Sequence, residues 1–389
     1  MKWEWEWLFL GLSLPLWGLG VVWAGFLDKR FPAVVQSRGG QIDSLEILRG
    51  LAAFVVFLAH VTMYFGGLAP GSRASSYFGD LGVIIFFMLT GFLFWGQIIN
   101  GRLNLDSFFQ KRVRRLVPLC LFVVGTVTLV DWVQAGFVLP TLGQLQNAAR
   151  NFGFGFVPVH DVFTGDMYLR INTIWSLRWE WLFYLCLPLF AVKRTWSAMT
   201  LGALALTVLF YNVRDFWTGV ETEACFIVAF WLGALGNLIA PEGAWAKKLK
   251  PGARFGLAAA AFALFVGLSI SKYFTEGAGE ARVRHVAFVL IASLLFFVFP
   301  LIADLKALGS TWLGQAAMHL GRISYSLYLW QLAVIYWVIR GALKNTDLQS
   351  AGGFAAVVIV LTFLIVTVSH FSYRHVELRF MNAGKPRAA

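Results

Sequence analysis

Arg49 and His60 stand eleven residues apart in one apolar run of the chain. At 100° per residue in an α-helix, this spacing puts both side chains on the same face, about 16 Å apart along the axis. A guanidinium binds phosphate well, and an imidazole enclosed away from water suits general acid–base chemistry. The alternative interpretation is that Arg49 extends to lipid headgroups and His60 hydrogen-bonds a neighbouring helix.

A carboxylate is expected at a depth similar to that of His60. Glu180 lies about 9 Å into an apolar run that begins near residue 174. There it could orient His60 and keep it basic, or bind a second substrate, whereas an ion pair with Arg178 is the alternative. Trp175 and Ser176 open the same run, and Trp175 could stack on a sugar or belong to an interfacial aromatic belt.

Further polar groups mark places where a ligand could bind. Arg112 and Arg115 are one helical turn apart and could grip phosphates, although basic residues beside a span also fix topology and touch anionic lipid. Thr90, Tyr328 and Gln331 lie inside apolar runs. They could line a cavity or polarise a carbonyl group, whereas interhelical hydrogen bonding is their ordinary use.

The composition indicates that the elements positioning these groups are buried in lipid. Of 389 residues, 59% are hydrophobic and 13% charged, against about a quarter charged in soluble proteins. This predicts an integral membrane protein and excludes a soluble enzyme, a disordered chain and a nucleic-acid binder, despite a net charge of +12. The basic excess suits cytoplasmic loops and membrane lipids as partners. Cys120, Cys186 and Cys225 show no C-x-x-C spacing, so neither a disulfide framework nor a metal site is predicted.

The predicted fold is an all-α polytopic membrane protein with about eleven transmembrane helices, because a span needs about 20 mostly apolar residues. The apolar runs lie near residues 7–27, 47–68, 80–98, 116–137, 174–192, 198–213, 223–240, 255–271, 285–303, 322–340 and 351–371. The first run is read as a retained helix rather than a signal peptide, since the residues before it are acidic.

Lys and Arg near the span ends predict the orientation. Most of them fall inside when the N-terminus is placed outside and the C-terminus in the cytoplasm. The loop at about 138–172 is then extracytoplasmic and long enough to cover a site there. The predicted organisation is an extra N-terminal helix with a cytoplasmic linker over 1–40, a membrane domain over 41–380, and a short cytoplasmic tail over 381–389.

Five motifs in order resemble the acyltransferase-3 family of integral membrane O-acyltransferases, over about residues 40–380. They are Arg49-x10-His60, Gly82-x3-Phe86-Phe87-x2-Thr90-Gly91-Phe92, Arg112-x2-Arg115-x2-Pro118, Trp175-Ser176-Leu177-x2-Glu180-x2-Phe183-Tyr184, and the run from Ser324 to Gln331. The resemblance implies an acyltransferase-3-like bundle of ten helices, to which this chain adds its N-terminal helix.

The resemblance also implies an activity. A member moves an acyl group, most often acetyl, from cytoplasmic acyl-coenzyme A to a hydroxyl of an extracytoplasmic sugar or glycolipid, usually at the bacterial inner membrane. It implies that His60 is catalytic and that Arg49, Arg112 and Arg115 bind the donor, acetyl-CoA. Glu180 is the expected partner of His60.

The chain departs from the family pattern at three points. Thr90 stands where serine is common, which keeps the hydroxyl group, and Gln331 stands where histidine is frequent. The usual Glu-x-Pro near the last helix is replaced by Glu377-Leu378-Arg379. These departures concern the acceptor more than the donor.

A second class of function is a secondary transporter or flippase that uses Arg49, His60 and Glu180 as a substrate and proton path. Such proteins commonly have two related halves, which this sequence does not show. An unrelated superfamily of membrane O-acyltransferases also uses a buried histidine. The order of the five motifs favours the acyltransferase-3 interpretation over both.

Overall fold

The computed structural model describes residues 2–33, 43–65, 73–191, 311–343 and 351–383, together with short pieces of the chain between residues 229 and 295. All regular secondary structure in these ranges is helical. This confirms the predicted all-α class.

Eleven α-helices are numbered here in chain order within those ranges. They are α1 (Lys2–Arg30), α2 (Asp43–Phe65), α3 (Arg73–Ile99), α4 (Leu105–Gln134), α5 (Leu142–Asn151), α6 (Met167–Ile171), α7 (Leu177–Ala191), α8 (Trp312–Arg322), α9 (Ser324–Tyr336), α10 (Ala351–Ser372) and α11 (Leu378–Asn382). A 3-10 segment (Asn172–Ser176) leads into α7, and π-helical segments follow α9 (Trp337–Ala342) and α10 (Tyr373–Glu377).

Five helical stretches are long and apolar enough to cross a membrane: Gly11–Arg30, Leu45–Tyr64, Gly79–Ile99, Leu105–Gln134 and Gly352–Asn382. They correspond to five of the predicted spans, so the chain is an integral membrane protein. The predicted spans near 174–192 and 322–340 are also helical, over α7 and α9. The remaining four lie wholly or largely outside the described residues, and the total of about eleven stays a prediction.

Close backbone approach sets the register between α2 and α3. A Cβ on Gly82 would lie 2.6 Å from the carbonyl oxygen of Ala52, and a Cβ on Gly91 would lie 2.1 Å from that of Phe230. Both glycines therefore allow helices to pack backbone to backbone. A Cβ on Gly82 would also lie 2.4 Å from Cγ2 of Val56, so Gly82 of α3 lies level with Ala52 to Val56 of α2.

Helix α4 carries the predicted phosphate-binding arginines. It begins after Asn104, whose side chain accepts a hydrogen bond of 3.1 Å from the backbone N–H of Ser107 and so caps the helix. Its 30 residues span about 45 Å, enough to cross the bilayer with its headgroups. Arg112 and Arg115 therefore lie within the first three turns, at the end of the bundle where α1 ends in Arg30 and α3 ends in Ile99. We call this the basic end.

The first helix is fastened to the bundle at the basic end by two buried imidazoles. Nε2 of His319 on α8 lies 2.9 Å from Nδ1 of His370 on α10, and Nε2 of His370 lies 3.1 Å from the carbonyl oxygen of Phe31. Asp28 on α1 lies 3.4 Å from Nδ1 of His319. These contacts hold α1 against α8 and α10.

A buried ion pair holds the segment before α7 at the opposite end. Nη1 of Arg170 donates to Oδ1 of Asp131 at 2.7 Å, and both side chains are at most 1% exposed. Asp131 also accepts from the backbone N–H of Phe163 at 2.9 Å, and the Arg170 guanidinium lies 4.4 Å from the ring centre of Tyr336. The loop after α5 is therefore tied to both α4 and α9, which fixes where the 3-10 segment and Ser176 lie.

Replacement of Arg170 by Met should destabilise the protein by about 3–5 kcal/mol, because it leaves the buried Asp131 carboxylate without its cation. Chemical or thermal unfolding of the detergent-solubilised protein measures this loss. Arg150→Met, on an exposed arginine of α5, is the matched control. A loss of less than 1 kcal/mol for Arg170→Met would show that the pair does not hold this end of the bundle.

Candidate functional site

A cavity of about 240 Å³ lies between α2, α3, α4, α7 and α9. Its lining is formed by Glu46, Arg49, Val83, Phe86, Phe87, Thr90, Leu93, Phe94, Gln97, Arg112, Arg115, Leu116, Ser176, Leu177, Glu180, Tyr184, Ser324, Tyr325 and Tyr328. Along α3 it extends from Gln97 to Val83, about 21 Å. The structure thus brings together seven of the ten predicted site residues, all except His60, Trp175 and Gln331.

The lining carries an excess of positive charge. Arg49, Arg112 and Arg115 face two carboxylates, Glu46 and Glu180. Glu46 Oε1 accepts from Arg49 Nη1 at 2.8 Å, and these two side chains are only 13–14% exposed. The buried Glu377 carboxylate also lies within electrostatic range of Arg115, so the capacity of the cavity to bind an anion depends most on Arg112.

Arg112 is held by aromatic rings, and one of its donors is left unused. The guanidinium carbon lies 4.9 Å from the ring centre of Phe94 and 5.8 Å from that of Phe108, distances at which a cation is attracted to a ring face. Its Nε is buried with no hydrogen-bond partner among the described residues. A buried donor without an acceptor is costly, and an anion in the cavity would remove that cost.

A smaller hollow of about 100 Å³ adjoins the cavity at Arg112. Phe94, Gln97 and Arg112 line both spaces. Arg102 and Lys111 line only the hollow. The positive lining therefore continues from the cavity toward the basic end.

Glu180 lies in the cavity wall, where it accepts a hydrogen bond from the hydroxyl of Tyr184, one turn further along α7. Arg112 lies close to both side chains. The carboxylate is thus placed beside Arg112 and Tyr184, whereas a side chain that interacts with His60 is that of Gln331.

Tyr328 and Ser176 form the far end of the cavity. The Tyr328 hydroxyl donates to Oγ of Ser176 at 2.8 Å, and its ring lies 6.0 Å from that of Phe86. The hydroxyl of Thr90 donates to the carbonyl oxygen of Phe86 at 2.9 Å. As placed, Thr90 therefore offers an acceptor to the cavity.

His60 lies beyond the far end of the cavity. It is one turn, about 6 Å, past Val56 on α2, whereas the lining of α3 stops at Val83, which is level with Val56. Nδ1 of His60 and both amide atoms of Gln331 are buried without a hydrogen-bond partner among the described residues. Buried polar atoms in native proteins are normally paired, so a ligand that hydrogen-bonds His60 Nδ1 or the Gln331 amide would be stabilised at this position.

Trp175 lies outside the cavity lining, is half-buried and faces the loop before α6. Gly155 of that loop has φ +78°, and a Cβ there would lie 2.9 Å from the Cα of Trp175 and 2.3 Å from the carbonyl oxygen of Ile174. Such a conformation and approach favour glycine. The loop predicted to cover an extracytoplasmic site thus packs directly on the 3-10 segment that carries Ser176.

Glu46, Tyr184 and Ser324 line the cavity but were not among the predicted site residues. Glu46 precedes Arg49 by three residues, the spacing of an ion pair on a helix, and this was a readable signal. Tyr184 follows Glu180 by four residues, a spacing that also brings two side chains together on one helix face. Ser324 is fully buried and lines the cavity. Its spacing of four and seven residues from Tyr328 and Gln331 indicates one shared helix face.

Comparison with known proteins decides the family. Residues 42–373 match the acyltransferase domain model of the acyltransferase-3 family. The chain belongs to this family. The resemblance read from the five motifs is confirmed, and the chain is an acyltransferase.

Named relatives align with most of the chain at low identity. The acyltransferase MdmB of Streptomyces mycarofaciens is 23% identical, over 90% of this chain and 94% of its own length. The O-acetyltransferase OatA of Staphylococcus aureus strain NCTC 8325 is 24% identical, over 79% of this chain and 53% of its own length. A putative O-acetyltransferase of S. aureus strain COL is 23% identical, over 88% and 58%. The chain thus spans nearly all of MdmB and little more than half of the two staphylococcal proteins. No solved structure matches it.

Proposed function

We propose that this acyltransferase moves an acetyl group from acetyl-CoA, bound at the basic end, to a hydroxyl of a sugar or glycolipid on the other side of the membrane. The observation that carries the proposal is one elongated cavity with three arginines near one end and the neighbouring side chains of His60 and Gln331 just past the other. The names of OatA and its putative counterpart support acetyl as the transferred group.

The anionic head of the donor is assigned to the arginines. Arg112 has a free buried donor, and Arg115 lies beside it in the lining. Arg49 is occupied by Glu46, so phosphate binding there exchanges one anionic partner for another. The adjoining hollow with Arg102 and Lys111 gives further cations for the remaining phosphate.

The dimensions fit a donor that enters from the basic end. Arg49 and His60 are about 16 Å apart along α2. The extended pantetheine arm of coenzyme A is also about 16 Å from phosphate to sulfur, at 3.3–3.6 Å for every three backbone bonds. With its phosphates on the arginines, the thioester passes Tyr328 and reaches His60.

The chemistry at His60 is transfer of an acyl group from sulfur to oxygen. His60 takes the proton of the acceptor hydroxyl while that oxygen attacks the thioester carbonyl. The C–S bond then breaks, and the thiolate takes the proton back from the imidazolium. Transient transfer of the acyl group to His60 itself is the other route. The Gln331 amide donates a hydrogen bond to the carbonyl oxygen as it becomes negative.

In this scheme, Glu180 acts together with Tyr184 and Arg112 at the binding site of acetyl-CoA, the acyl donor. The role first predicted for it, orienting His60, passes to Gln331. Trp175 and the loop over the 3-10 segment lie where the acceptor arrives. The basic end faces the cytoplasm and the N-terminus lies outside, in keeping with the Lys and Arg distribution, and the membrane is the bacterial inner membrane.

His60→Ala should lower acyl transfer by about 10²–10⁴-fold, because the proton acceptor is lost. Mass spectrometry of acylated surface glycans and release of coenzyme A thiol in membranes measure this loss at matched expression. His375→Ala, on an exposed histidine at the basic end, is the control. Transfer at the wild-type level in His60→Ala would remove the catalytic assignment.

The double variant Arg112→Ala plus Arg115→Ala should raise the Kd for coenzyme A by about 100-fold or more, since each charge-assisted hydrogen bond contributes about 1.5–3 kcal/mol. Calorimetric titration of the purified protein measures the Kd. Arg114→Ala is the control, because Arg114 lies between them but donates to the carbonyl oxygen of Ala383. Equal Kd values in the wild-type protein, the double variant and Arg114→Ala would show that Arg112 and Arg115 serve topology and lipid binding instead of donor binding.

A further inference from the structure

Helix α9 presents three polar side chains on one face. Ser324, Tyr328 and Gln331 stand at relative rotations of 0°, 40° and −20°, calculated at about 100° per residue. Ser324 and Tyr328 line the cavity, and Gln331 lies beside His60 just past it. Measured from Gln331, Tyr328 is about 4.5 Å and Ser324 about 10.5 Å nearer the basic end.

Ser324 stands out among the buried serines because its hydroxyl both lacks a partner and faces the cavity. It is 0% exposed, and Oγ has no hydrogen-bond partner among the described residues. Ser326, two residues later, donates to Glu377. Ser324 is the first residue of α9, and an unpaired buried hydroxyl is costly. The Ser324 hydroxyl is therefore available to hydrogen-bond a ligand in the cavity.

The arm of coenzyme A contains two amide groups that lose water when the arm is enclosed. Their nitrogens lie about 4 and 9 Å from the sulfur in an extended chain. With the thioester beside Gln331 and His60, Tyr328 falls at the level of the first amide and Ser324 at the level of the second. Each amide needs a hydrogen-bond partner once buried.

We propose that Ser324 binds the second amide of the pantetheine arm and so makes the enzyme select donors that carry both amides. Tyr328, which in this structure donates to Ser176, exchanges that partner for the first amide. The inference rests on the proposed function, because it requires the arm to lie in this cavity. It adds a donor-selecting residue that acts apart from the phosphates.

Competition binding tests Ser324 without an acceptor. Labelled acetyl-CoA is bound to the purified protein and then displaced by one of two competitors. Acetyl-pantetheine has both amides and no phosphate. S-acetyl-N-acetylcysteamine lacks the second amide. In Ser324→Ala the inhibition constant of acetyl-pantetheine should rise about tenfold, as expected for one buried hydrogen bond. That of S-acetyl-N-acetylcysteamine should change less than twofold. The ratio of the two constants is insensitive to a general loss of folded protein.

Two further variants complete the design. Ser324→Thr keeps a hydroxyl and should restore the wild-type ratio. Ser369→Ala removes a buried hydroxyl that also lacks a partner among the described residues but lies outside the cavity lining, and it should leave the ratio unchanged. An unchanged ratio in Ser324→Ala, with wild-type protein binding acetyl-CoA, overturns the inference and leaves the proposed function standing. Wild-type protein that does not bind acetyl-CoA overturns both.

Discussion

The placement of guanidinium groups inside an apolar bundle is the constraint on which the rest of the structure depends. Charged groups within a membrane protein are costly unless they are paired or line a polar space. Arg49 pairs with Glu46, and Arg115 lies within electrostatic range of Glu46 and Glu377. Arg112 lies against aromatic faces beside Glu180, and its Nε has no hydrogen-bond partner among the described residues. A phosphate-bearing donor can supply the acceptor that the buried Nε of Arg112 lacks.

The separation between the arginine-lined cavity and His60 is the second feature on which the proposed function depends. His60 and Gln331 lie past the hydrogen bond between Tyr328 and Ser176, outside the lining of the cavity. In the proposed reaction, a thioester that reaches His60 has left the arginine-lined cavity, and any exclusion of water at that point favours transfer to an acceptor hydroxyl over hydrolysis. The buried pair of Asp131 and Arg170 holds the segment that carries Ser176, and so fixes this boundary from the opposite end.

Helical spacing alone predicted the relations within a helix. The shared face of Arg49 and His60 and the turn between Arg112 and Arg115 follow from 3.6 residues per turn. The positions of side chains on different helices relative to one another could not be predicted in this way. Glu180 was expected beside His60 because their depths agree, but a 3-10 segment precedes α7 and depth does not specify the rotation of a helix about its axis. Asp131 and Arg170 are far apart in the sequence, so their pairing depends on the path of the loop between them.

A cryo-EM structure of the protein with bound coenzyme A tests the central claim most directly. The account predicts the phosphates on Arg112 and Arg115, the arm along α9, and the sulfur past Tyr328 within contact distance of His60. Coenzyme A bound elsewhere, or in the cavity with its thiol directed away from His60, would contradict it.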